Sequence, residues 1–429
     1  MEVPTPPVPV GGPLRPRHRG LGWEVGAIAL AALTIGAAIL VPQMIGGSNA
    51  MNAAAQMPAE GPIIVGFMAN TGPSNATAIR AGCLKVDGTN DFDCIEADLE
   101  AVLRAEGSEV AFKVLEDMTK LDRAIEADGH PLAHGLGRTA LTVYGGPRTA
   151  LHYCPYVLSS GCFHGVQQAY FDSLPKMETY IIQGLCVSDD SSWRFQCLHG
   201  MGHGLELYTN YDLNRTLAYC DLLDGWLAIE SCQGGAFMEN LVGYIDSQSP
   251  TPAGGHNHGG PVRPTPVFLV KPSDPAFPCD VMAEPYLKTC YYLQSSVTLR
   301  FNGFDFDGVV RMCQGAPTRY TDVCFTSMGR DAGASVRMDP GATSALCEKA
   351  TQVQAEACIR GFIGGVVNDH SDANDSIPAC HDVHQQLKEA CYTQAGVSAK
   401  GMLDAQAVGL LCSRAEDGFV AACLRGAAF

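Results

Sequence analysis

Positive charge is scarce in this chain. The 429 residues include 28 Lys and Arg against 45 Asp and Glu, which gives a formal net charge of -17 at pH 7. A chain with this balance offers a polyanion little electrostatic attraction. The composition therefore argues against nucleic acid or an anionic lipid surface as the binding partner.

Familiar catalytic motifs are missing as well. There is no His-Glu-x2-His, the pattern of one large class of zinc proteases, and no Cys-x2-Cys-His for covalent haem attachment. No serine lies in a nucleophile-elbow pattern, and Gly200, Gly202 and Gly204 lack the preceding strand that a dinucleotide-binding fingerprint needs. Any catalytic site must therefore be sought among clusters of residues rather than in a known motif.

Cysteine, by contrast, is abundant and regularly spaced. The 18 cysteines fall into nine local pairs, and ten residues separate the partners in seven of them. The second cysteines recur at steps of about 34 residues, a repeat length typical of α-solenoids built from helix pairs. The pairs are Cys83/Cys94, Cys154/Cys162, Cys186/Cys197, Cys220/Cys232, Cys279/Cys290, Cys313/Cys324, Cys347/Cys358, Cys380/Cys391 and Cys412/Cys423.

Geometry indicates what each pair does. On one continuous helix, cysteines at this spacing would lie roughly 16 Å apart, whereas a disulfide spans at most ~7 Å between Cα atoms. A turn must therefore lie between them, and turn-forming residues such as Asp87-Gly88 and Asp224-Gly225 occur there. We predict an all-α fold, an α-solenoid of about ten disulfide-stapled helical hairpins.

The cysteines also indicate where the protein resides. Closely spaced pairs without a Cys-x2-Cys metal pattern are typical of disulfides made outside the cytosol. An apolar run at 23–46 follows Arg15, Arg17 and Arg19, which predicts a single-pass cell-membrane anchor with a cytoplasmic N-terminus and an extracytoplasmic bulk. Cleavage after Ala50, as in a signal peptide, is the alternative.

Composition and repeat spacing suggest the boundaries of the parts. The long step from Cys232 to Cys290 predicts an inserted Gly- and Pro-rich loop, and its His256 and His258 are more typical of a solvated loop than of a metal site. The predicted parts are a cytoplasmic Pro- and Arg-rich tail at 1–22, a transmembrane anchor at 23–46, a linker at 47–75 and the α-solenoid at 76–429, with its inserted loop at 245–277.

Histidines recur at one structural position in three consecutive repeats. They lie two and six residues after the position of the second cysteine, which is Asp128 in the one repeat that lacks cysteines. Two residues after the cysteine, other repeats carry Glu, Gly, Tyr, Thr or Arg, so the fold itself does not require histidine there. The aligned residues are His130 and His134 in one repeat, His164 in the next, and His199 and His203 in the third.

The aligned histidines predict a transition-metal site. Because their helix positions face away from the hairpin partner, we expect them on the concave wall of the solenoid, where stacked repeats bring them together. Histidines at i and i+4 share one helix face, and neutral imidazole binds zinc, copper or iron. Five such histidines could hold one or two ions. The alternative is a polar groove that the histidines line without any metal.

Two carboxylates extend this hypothesis towards chemistry. Glu100 lies in the repeat before the three histidine repeats and Glu239 in the repeat after them, on the same predicted face. If the protein is an enzyme, a metal-bound water or oxygen species would react, and Glu239, Glu100 or an unliganded histidine would act as acid or base. The other interpretations are a non-catalytic scaffold that binds a protein or peptide partner in the cell envelope, and a structural envelope protein made rigid by its disulfides.

The architecture resembles known repeat families. Disulfide-stapled helical hairpins are similar to cysteine-rich secreted Sel1-like repeats, and the period matches tetratricopeptide length, although the sequence signatures of both families are absent. The segments Gly-Cys-Phe-His-Gly at 161–165 and Cys-Leu-His-Gly-Met-Gly-His-Gly at 197–204 look like motifs of uncharacterised extracytoplasmic bacterial proteins. The resemblance implies a fold and a compartment, and it carries no activity over.

Overall fold

The fold is helical throughout the part of the chain that the structure describes. A computed structural model describes residues 48–63, 75–248, 265–370 and 372–428. These residues form 20 α-helices and no β-strand, which confirms the all-α class. None of the helices in these ranges is long and apolar enough to cross a membrane. The predicted tail and anchor, at 1–22 and 23–46, lie outside the described residues.

One helix precedes the repeats, and short first helices then alternate with longer second helices. In chain order the helices are α1 (Ser48–Ala54), α2 (Ala76–Gly82), α3 (Phe92–Glu106), α4 (Ser108–Leu121), α5 (Arg123–Val143), α6 (Pro147–His152), α7 (Val157–Asp172), α8 (Thr179–Leu185), α9 (Ser191–Tyr208), α10 (Leu213–Cys220), α11 (Trp226–Ser247), α12 (Leu287–Asn302), α13 (Phe306–Gly315), α14 (Thr318–Ser335), α15 (Pro340–Cys347), α16 (Gln352–His370), α17 (Ser376–His381), α18 (Lys388–Met402), α19 (Ala405–Cys412) and α20 (Val420–Ala428).

Ten repeats can be counted in this order, beginning with α2 and α3. Nine of them contain a disulfide between the two cysteines that are neighbours in the chain, with Cα–Cα distances from 5.4 to 5.7 Å. The repeat of α4 and α5 has no cysteine, and in the sixth repeat a loop carrying Cys279 stands in place of a first helix. The hairpin predicted from the cysteine spacing is therefore the repeating unit.

The nine predicted pairings are the nine disulfides of the structure. They join Cys83 to Cys94, Cys154 to Cys162, Cys186 to Cys197, Cys220 to Cys232, Cys279 to Cys290, Cys313 to Cys324, Cys347 to Cys358, Cys380 to Cys391 and Cys412 to Cys423. The chain contains no free cysteine. The short Cys154/Cys162 pair follows the same rule as the others, with a Cα–Cα distance of 5.5 Å.

Most of the second cysteines lie in the core, as expected for structural disulfides. Six of them lie within long helices and are 0% exposed, namely Cys162 in α7, Cys197 in α9, Cys232 in α11, Cys324 in α14, Cys358 in α16 and Cys391 in α18. Their sulfurs are enclosed because each of these second helices packs against both of its neighbours in the row. These disulfides are therefore structural, and they offer no accessible sulfur to a metal or a substrate.

Local sequence sets where the helices begin. Asp122, Asp190 and Asp339 each stand just before a helix, and their side chains accept hydrogen bonds from amides of the first turn at 2.6 to 3.0 Å. Such caps satisfy amides that have no partner within the helix. The same aspartate device recurs from repeat to repeat, so the helix starts keep the period of the solenoid.

The second helices form a continuous row. In chain order α3, α5, α7, α9, α11, α12, α14, α16, α18 and α20 each pack against the next, as expected for a solenoid. Two apolar cores lie along this row. One contains buried residues from Ala76 to Cys232, and the other contains buried residues from Leu213 to Cys423. The fifth repeat, made of α10 and α11, joins them.

The segment before the repeats is partly docked, although its composition predicts a linker at 47–75. Helix α1 packs on α8, where Ala53 lies so close to Gly184 that a Cβ on this glycine would overlap its backbone. The Glu60 carboxylate accepts hydrogen bonds from the amides of Arg148 (2.5 Å) and Thr149 (2.8 Å) at the start of α6. Residues 48–63 are therefore part of the packed structure, because small side chains and a carboxylate cap hold them there.

The described ends of the predicted insertion at 245–277 pack on the repeats. Helix α11 continues to Ser247, and the described part resumes at residue 265. There the side chain of Asn240 accepts from the amide of Leu269 at 3.0 Å and donates to its carbonyl oxygen at 3.2 Å. This pair of bonds ties the returning segment to α11. His256 and His258 lie outside the described residues.

Candidate metal centre

Three neighbouring second helices, α5, α7 and α9, carry the aligned histidines. The structure brings the five side chains into two groups of three whose donor atoms lie within 4.8 Å of one another, and the two groups share one residue. The first group is His130, His134 and His164, and the second is His164, His199 and His203. The equivalence of repeat positions, read from the sequence, thus corresponds to proximity in space.

The centre lies between the helices rather than on an open concave wall. His164, His199 and His203 are at most 1% exposed, whereas His130 and His134 are partly buried. The reason lies in the glycines that follow the histidines. A Cβ at Gly165 would overlap the carbonyl oxygen of His134, so α5 and α7 meet backbone to backbone and enclose the side chains between them. The predicted exposed groove is thereby corrected to a buried layer that reaches solvent at α5.

The first triad has the dimensions of a metal site. The Nε2 atom of His134 lies 2.9 Å from Nε2 of His130 and 3.2 Å from Nδ1 of His164. In a tetrahedral zinc site, bonds of ~2.0–2.1 Å place two imidazole nitrogens roughly 3.3 Å apart. Both contacts of His134 are therefore within a few tenths of an ångström of the spacing in such a site.

Hydrogen-bond partners assign the tautomers of His130 and His134. Nδ1 of His130 lies 2.8 Å from the carbonyl oxygen of Leu158, an atom that can only accept, so Nδ1 carries the proton and Nε2 a lone pair. Nδ1 of His134 lies 3.1 Å from Oε1 of Gln168, which assigns the same tautomer. The two lone pairs then face each other across 2.9 Å. This arrangement is repulsive until a cation lies between them.

An unusual backbone segment supplies the acceptor for His130. Leu158, Ser159 and Ser160, at the start of α7, all have φ values between 52° and 57°, in the left-handed region that costs a non-glycine residue energy. The turn places the carbonyl oxygen of Leu158 against the imidazole. Backbone strain of this kind often marks a functional site, which agrees with the position of the turn beside the first triad.

On α9, His203 repeats the pattern. Nδ1 of His203 donates to Oε2 of Glu239 at 2.8 Å, so its Nε2 carries the lone pair. That atom lies 3.3 Å from Nε2 of His199. In metal sites the outer nitrogen of a ligand histidine almost always donates to a carboxylate, a carbonyl or water. His130, His134 and His203 all have such an outer acceptor.

Burial keeps these imidazoles neutral. It lowers the pKa of His130 to about 4 and that of His203 to about 3, because a charged imidazolium would lose its hydration there. The pKa values of His134, His164 and His199 are also well below the usual range, again chiefly because of burial. The neutral form is the one that binds a metal ion. The layer is therefore ready to accept a cation at neutral pH.

His164 occupies the middle of the layer. Its Nδ1 faces His134, and its Nε2 is buried without a hydrogen-bond partner. Its ring stacks on that of His203, with centroids 4.0 Å apart and planes 15° apart. A buried nitrogen without a partner is uncommon in folded proteins and calls for a physical explanation.

The two glutamates predicted as acid or base have different places. Glu239 is buried beside His203, and burial raises its pKa to about 7. Glu100 lies outside both triads, where its carboxylate is 3.8 Å from Arg104 in a partly exposed pair. Only Glu239 is thus positioned to act on the histidine layer.

Further residues around the layer carry no signal in the repeat pattern. The hydroxyl of Tyr211 donates to Oε1 of Glu239 at 3.3 Å, from a residue whose own φ is 64°. Glu206, three residues after His203, is completely buried, and burial raises its pKa to about 8. Tyr211 lies in a turn after α9, and no sequence period predicts that such a turn folds back onto the site.

A third group of candidate ligands has a simpler explanation. Cys83 and Cys94 lie close to Asp98, but the two cysteines form a disulfide with each other. A disulfide sulfur is no thiolate ligand, since metal binding requires the deprotonated thiol. Among the described residues, the histidine layer is therefore the candidate metal centre.

Comparison with known proteins gives no further guide to the site. No protein-family model, characterised protein or solved structure matches the chain. The likeness to Sel1-like and tetratricopeptide repeats therefore remains one of helical-repeat architecture, and the function has to be argued from the residues.

Proposed function

We propose that this protein is an extracytoplasmic transition-metal protein, held at the cell membrane by residues 23–46, which binds an ion between His130, His134 and His164. One observation carries the proposal. The outer nitrogens of His130 and His134 face acceptors, and the inner nitrogens face each other at 2.9 Å. A metal ion satisfies both inner lone pairs at once.

The donor set narrows the choice of ion. Three neutral imidazoles suit zinc, copper or iron and do not suit calcium or magnesium, which prefer oxygen ligands. Three protein ligands leave a fourth position, the arrangement of catalytic rather than structural zinc sites. Because His130 and His134 are only partly buried, water has a route to their side of the layer. Metal-dependent catalysis is the extension of the proposal that this open position supports.

The alternative arrangement without metal is specific enough to test. The amide of Gln168 would turn so that its NH2 group donates to Nδ1 of His134, and His134 would then donate through Nε2 to His130. The layer would be a chain of hydrogen bonds, and the protein would serve as a scaffold for an envelope protein or peptide. Metal affinity separates these two functions.

Cobalt(II) is a suitable probe because its visible absorption reports coordination by nitrogen. The full-length oxidised chain, in detergent and without an affinity tag, is titrated with Co²⁺ and then with Zn²⁺ as competitor. We expect tetrahedral cobalt bands that saturate at one ion for the first triad and disappear with zinc. His134→Ala removes the atom common to both short contacts and should abolish the bands, whereas His152→Ala, on the exposed end of α6, should retain them.

The outcome against the proposal is equally clear. A wild-type chain that shows no cobalt bands, with its helix content intact and no free thiol, does not have this site. The hydrogen-bonded chain through Gln168 would then describe the layer.

A further inference from the structure

The second triad raises the question of why His164 belongs to both groups. Every other histidine of the layer is a member of one group only. His164 presents Nδ1 to the first triad, 3.2 Å from Nε2 of His134, and its opposite nitrogen is buried with no hydrogen-bond partner. A neutral imidazole that binds an ion through Nδ1 carries its proton on Nε2, and here that proton would point at no acceptor.

Leaving such a donor unmatched is unfavourable, since a buried N–H loses its water without gaining a partner. The pair on α9 lies beside this ring, whose centroid is 4.0 Å from that of His203 and 5.6 Å from that of His199. Nε2 of His199 and Nε2 of His203 lie 3.3 Å apart, and Glu239 fixes the tautomer of His203 from behind. This pair lacks a third donor of its own, and His164 is the histidine that completes its triad.

We propose that the centre is binuclear, with one transition-metal ion in each triad and His164 as a bridging ligand that binds one ion through Nδ1 and the other through Nε2. This inference rests on the proposed function, because the second ion needs the first triad as its neighbour. When the second ion binds, the ring proton of His164 leaves as H⁺ and two metal–nitrogen bonds share one imidazolate. No oxidant or reductant takes part.

The arrangement makes one structural demand. The rings of His164 and His203 are stacked at 4.0 Å, so an ion in the plane of one ring lies outside the plane of the other. His164 or His203 must therefore tilt when the second ion binds.

Copper(II) provides the decisive probe, because two copper ions that share an imidazolate are coupled magnetically and lose electron paramagnetic resonance intensity. The tag-free full-length chain is loaded with Cu²⁺, and bound copper is measured by elemental analysis beside the integrated resonance signal. We expect two coppers per chain, with much less signal than two independent ions would give. His199→Ala/His203→Ala should bind one copper with full signal, and His152→Ala should behave as the wild type.

Each result leads to a definite conclusion. Two coppers with full signal would overturn the bridge, and a single copper in the wild-type chain would overturn the second ion, but the proposed function would stand in both cases. No bound copper would overturn both proposals. The single variant His203→Gln tests the second position with a side chain of similar size. Thiol titration and circular dichroism show whether each variant retains its disulfides and helices.

Discussion

The same helix positions hold two different polar layers in the two halves of the solenoid. Six residues after the second cysteine the N-terminal repeats carry His134 and His203, and the seventh repeat carries Arg330. One position later stand Glu239 in the fifth repeat and Asp331 in the seventh. All of these side chains lie in the row of second helices, and Arg330 and Asp331 are at most 3% exposed.

The C-terminal layer is complete in itself. Arg330 donates through Nε to Oδ1 of Asp331 at 2.8 Å, through Nη1 to the carbonyl oxygen of Tyr292 at 3.0 Å and through Nη2 to Oγ of Ser296 at 2.7 Å. The other oxygen of Asp331 accepts from the hydroxyls of Ser295 and Ser296. The guanidinium cation thus faces acceptors on every side, as a buried charge requires.

The N-terminal layer, by contrast, contains no cation of its own. There, the lone pairs of His130 and His134 face each other at 2.9 Å, and burial keeps the five histidine side chains neutral at neutral pH. In the C-terminal half the cation is part of the chain, as Arg330. In the N-terminal half we infer that the cation comes from outside as a metal ion. Four experiments test this difference between the two halves.

Acid should separate the two halves most strongly. Unfolded histidine titrates near 6.5, whereas the pKa values of His130 and His203 are about 4 and about 3 in the folded protein. Between these values the unfolded chain binds more protons, so folding stability is complete above pH 6.5 and falls as the pH is lowered. The two shifts together imply a loss on the order of 5 kcal/mol by pH 4 in the metal-free protein.

Glu239 opposes this trend over part of the range. Its pKa is raised from 4.5 to about 7, and burial also raises the pKa of Glu206 to about 8 and that of Asp246 to about 6. These three carboxyl groups cost stability as the pH rises through their ranges, but the five histidines outnumber them. Hydrogen exchange, corrected for the intrinsic rate, should show α5 to α11 losing protection below pH 6 before α14 does. Equal loss of protection in both halves would contradict the assignment of neutral histidines.

Removing the Arg330 cation should lower the stability of the C-terminal repeats almost as much as acid lowers that of the N-terminal repeats. Arg330→Met leaves Asp331 buried without its partner, and we expect a loss of about 3–5 kcal/mol in the unfolding of the C-terminal repeats. Arg330→Met/Asp331→Leu removes both charges and should recover much of that loss. Denaturant unfolding followed by circular dichroism measures the change. Arg425→Met, which breaks an exposed pair with Glu389, is the control and should change stability by less than about 1 kcal/mol.

Removing a ligand from the N-terminal layer should act on metal binding instead. Loss of an outer-shell partner typically costs 10–100-fold in affinity, so His134→Ala, which removes a ligand itself, should cost more than about 100-fold. Competition with a zinc chelator measures the affinity. His384→Ala removes a partly exposed histidine that pairs with Glu348 and should leave it unchanged. Full zinc affinity in His134→Ala would exclude the first triad.

The smallest effect on metal affinity is expected from the residues that hold His203 in place. Tyr211→Phe removes the hydroxyl that donates to Glu239, which in turn fixes His203. We expect the affinity for the second copper to fall by up to about 10-fold, with the first unaffected. Tyr244→Phe is the matched control, because Tyr244 packs near the same Phe268 ring but its hydroxyl makes no contact with Glu239 in the described structure. A change in the affinity for the first copper would show that Tyr211 does not act on the second position alone.

Repeat spacing was enough to predict the hairpins and the equivalence of the five histidines. The distance that a disulfide can span requires a turn in each repeat, and the helix period brings equivalent residues of stacked repeats together. The docking of residues 48–63 could not be predicted in this way. It depends on contacts such as Ala53 against Gly184, which join segments far apart in the chain.

The groups around the histidines could not be predicted from the sequence either. Leu158 contributes a backbone carbonyl through a left-handed turn, and Tyr211 reaches Glu239 from a second such turn. Neither turn contains the glycine that usually reveals one, and tertiary packing decides their conformation. The burial of the layer follows from backbone contact at glycines whose spacing in the sequence is also compatible with an open groove.

Elemental analysis of the native protein tests the central claim most directly. The full-length chain is purified in oxidised form, without a tag or chelator, beside His130→Ala/His134→Ala and His152→Ala. We expect at least one zinc, copper or iron per chain in the wild type and in His152→Ala, and its loss from the double variant. A wild-type chain with intact disulfides that contains none of these metals, even after it has been loaded with each, would show that the histidine layer is not a metal site.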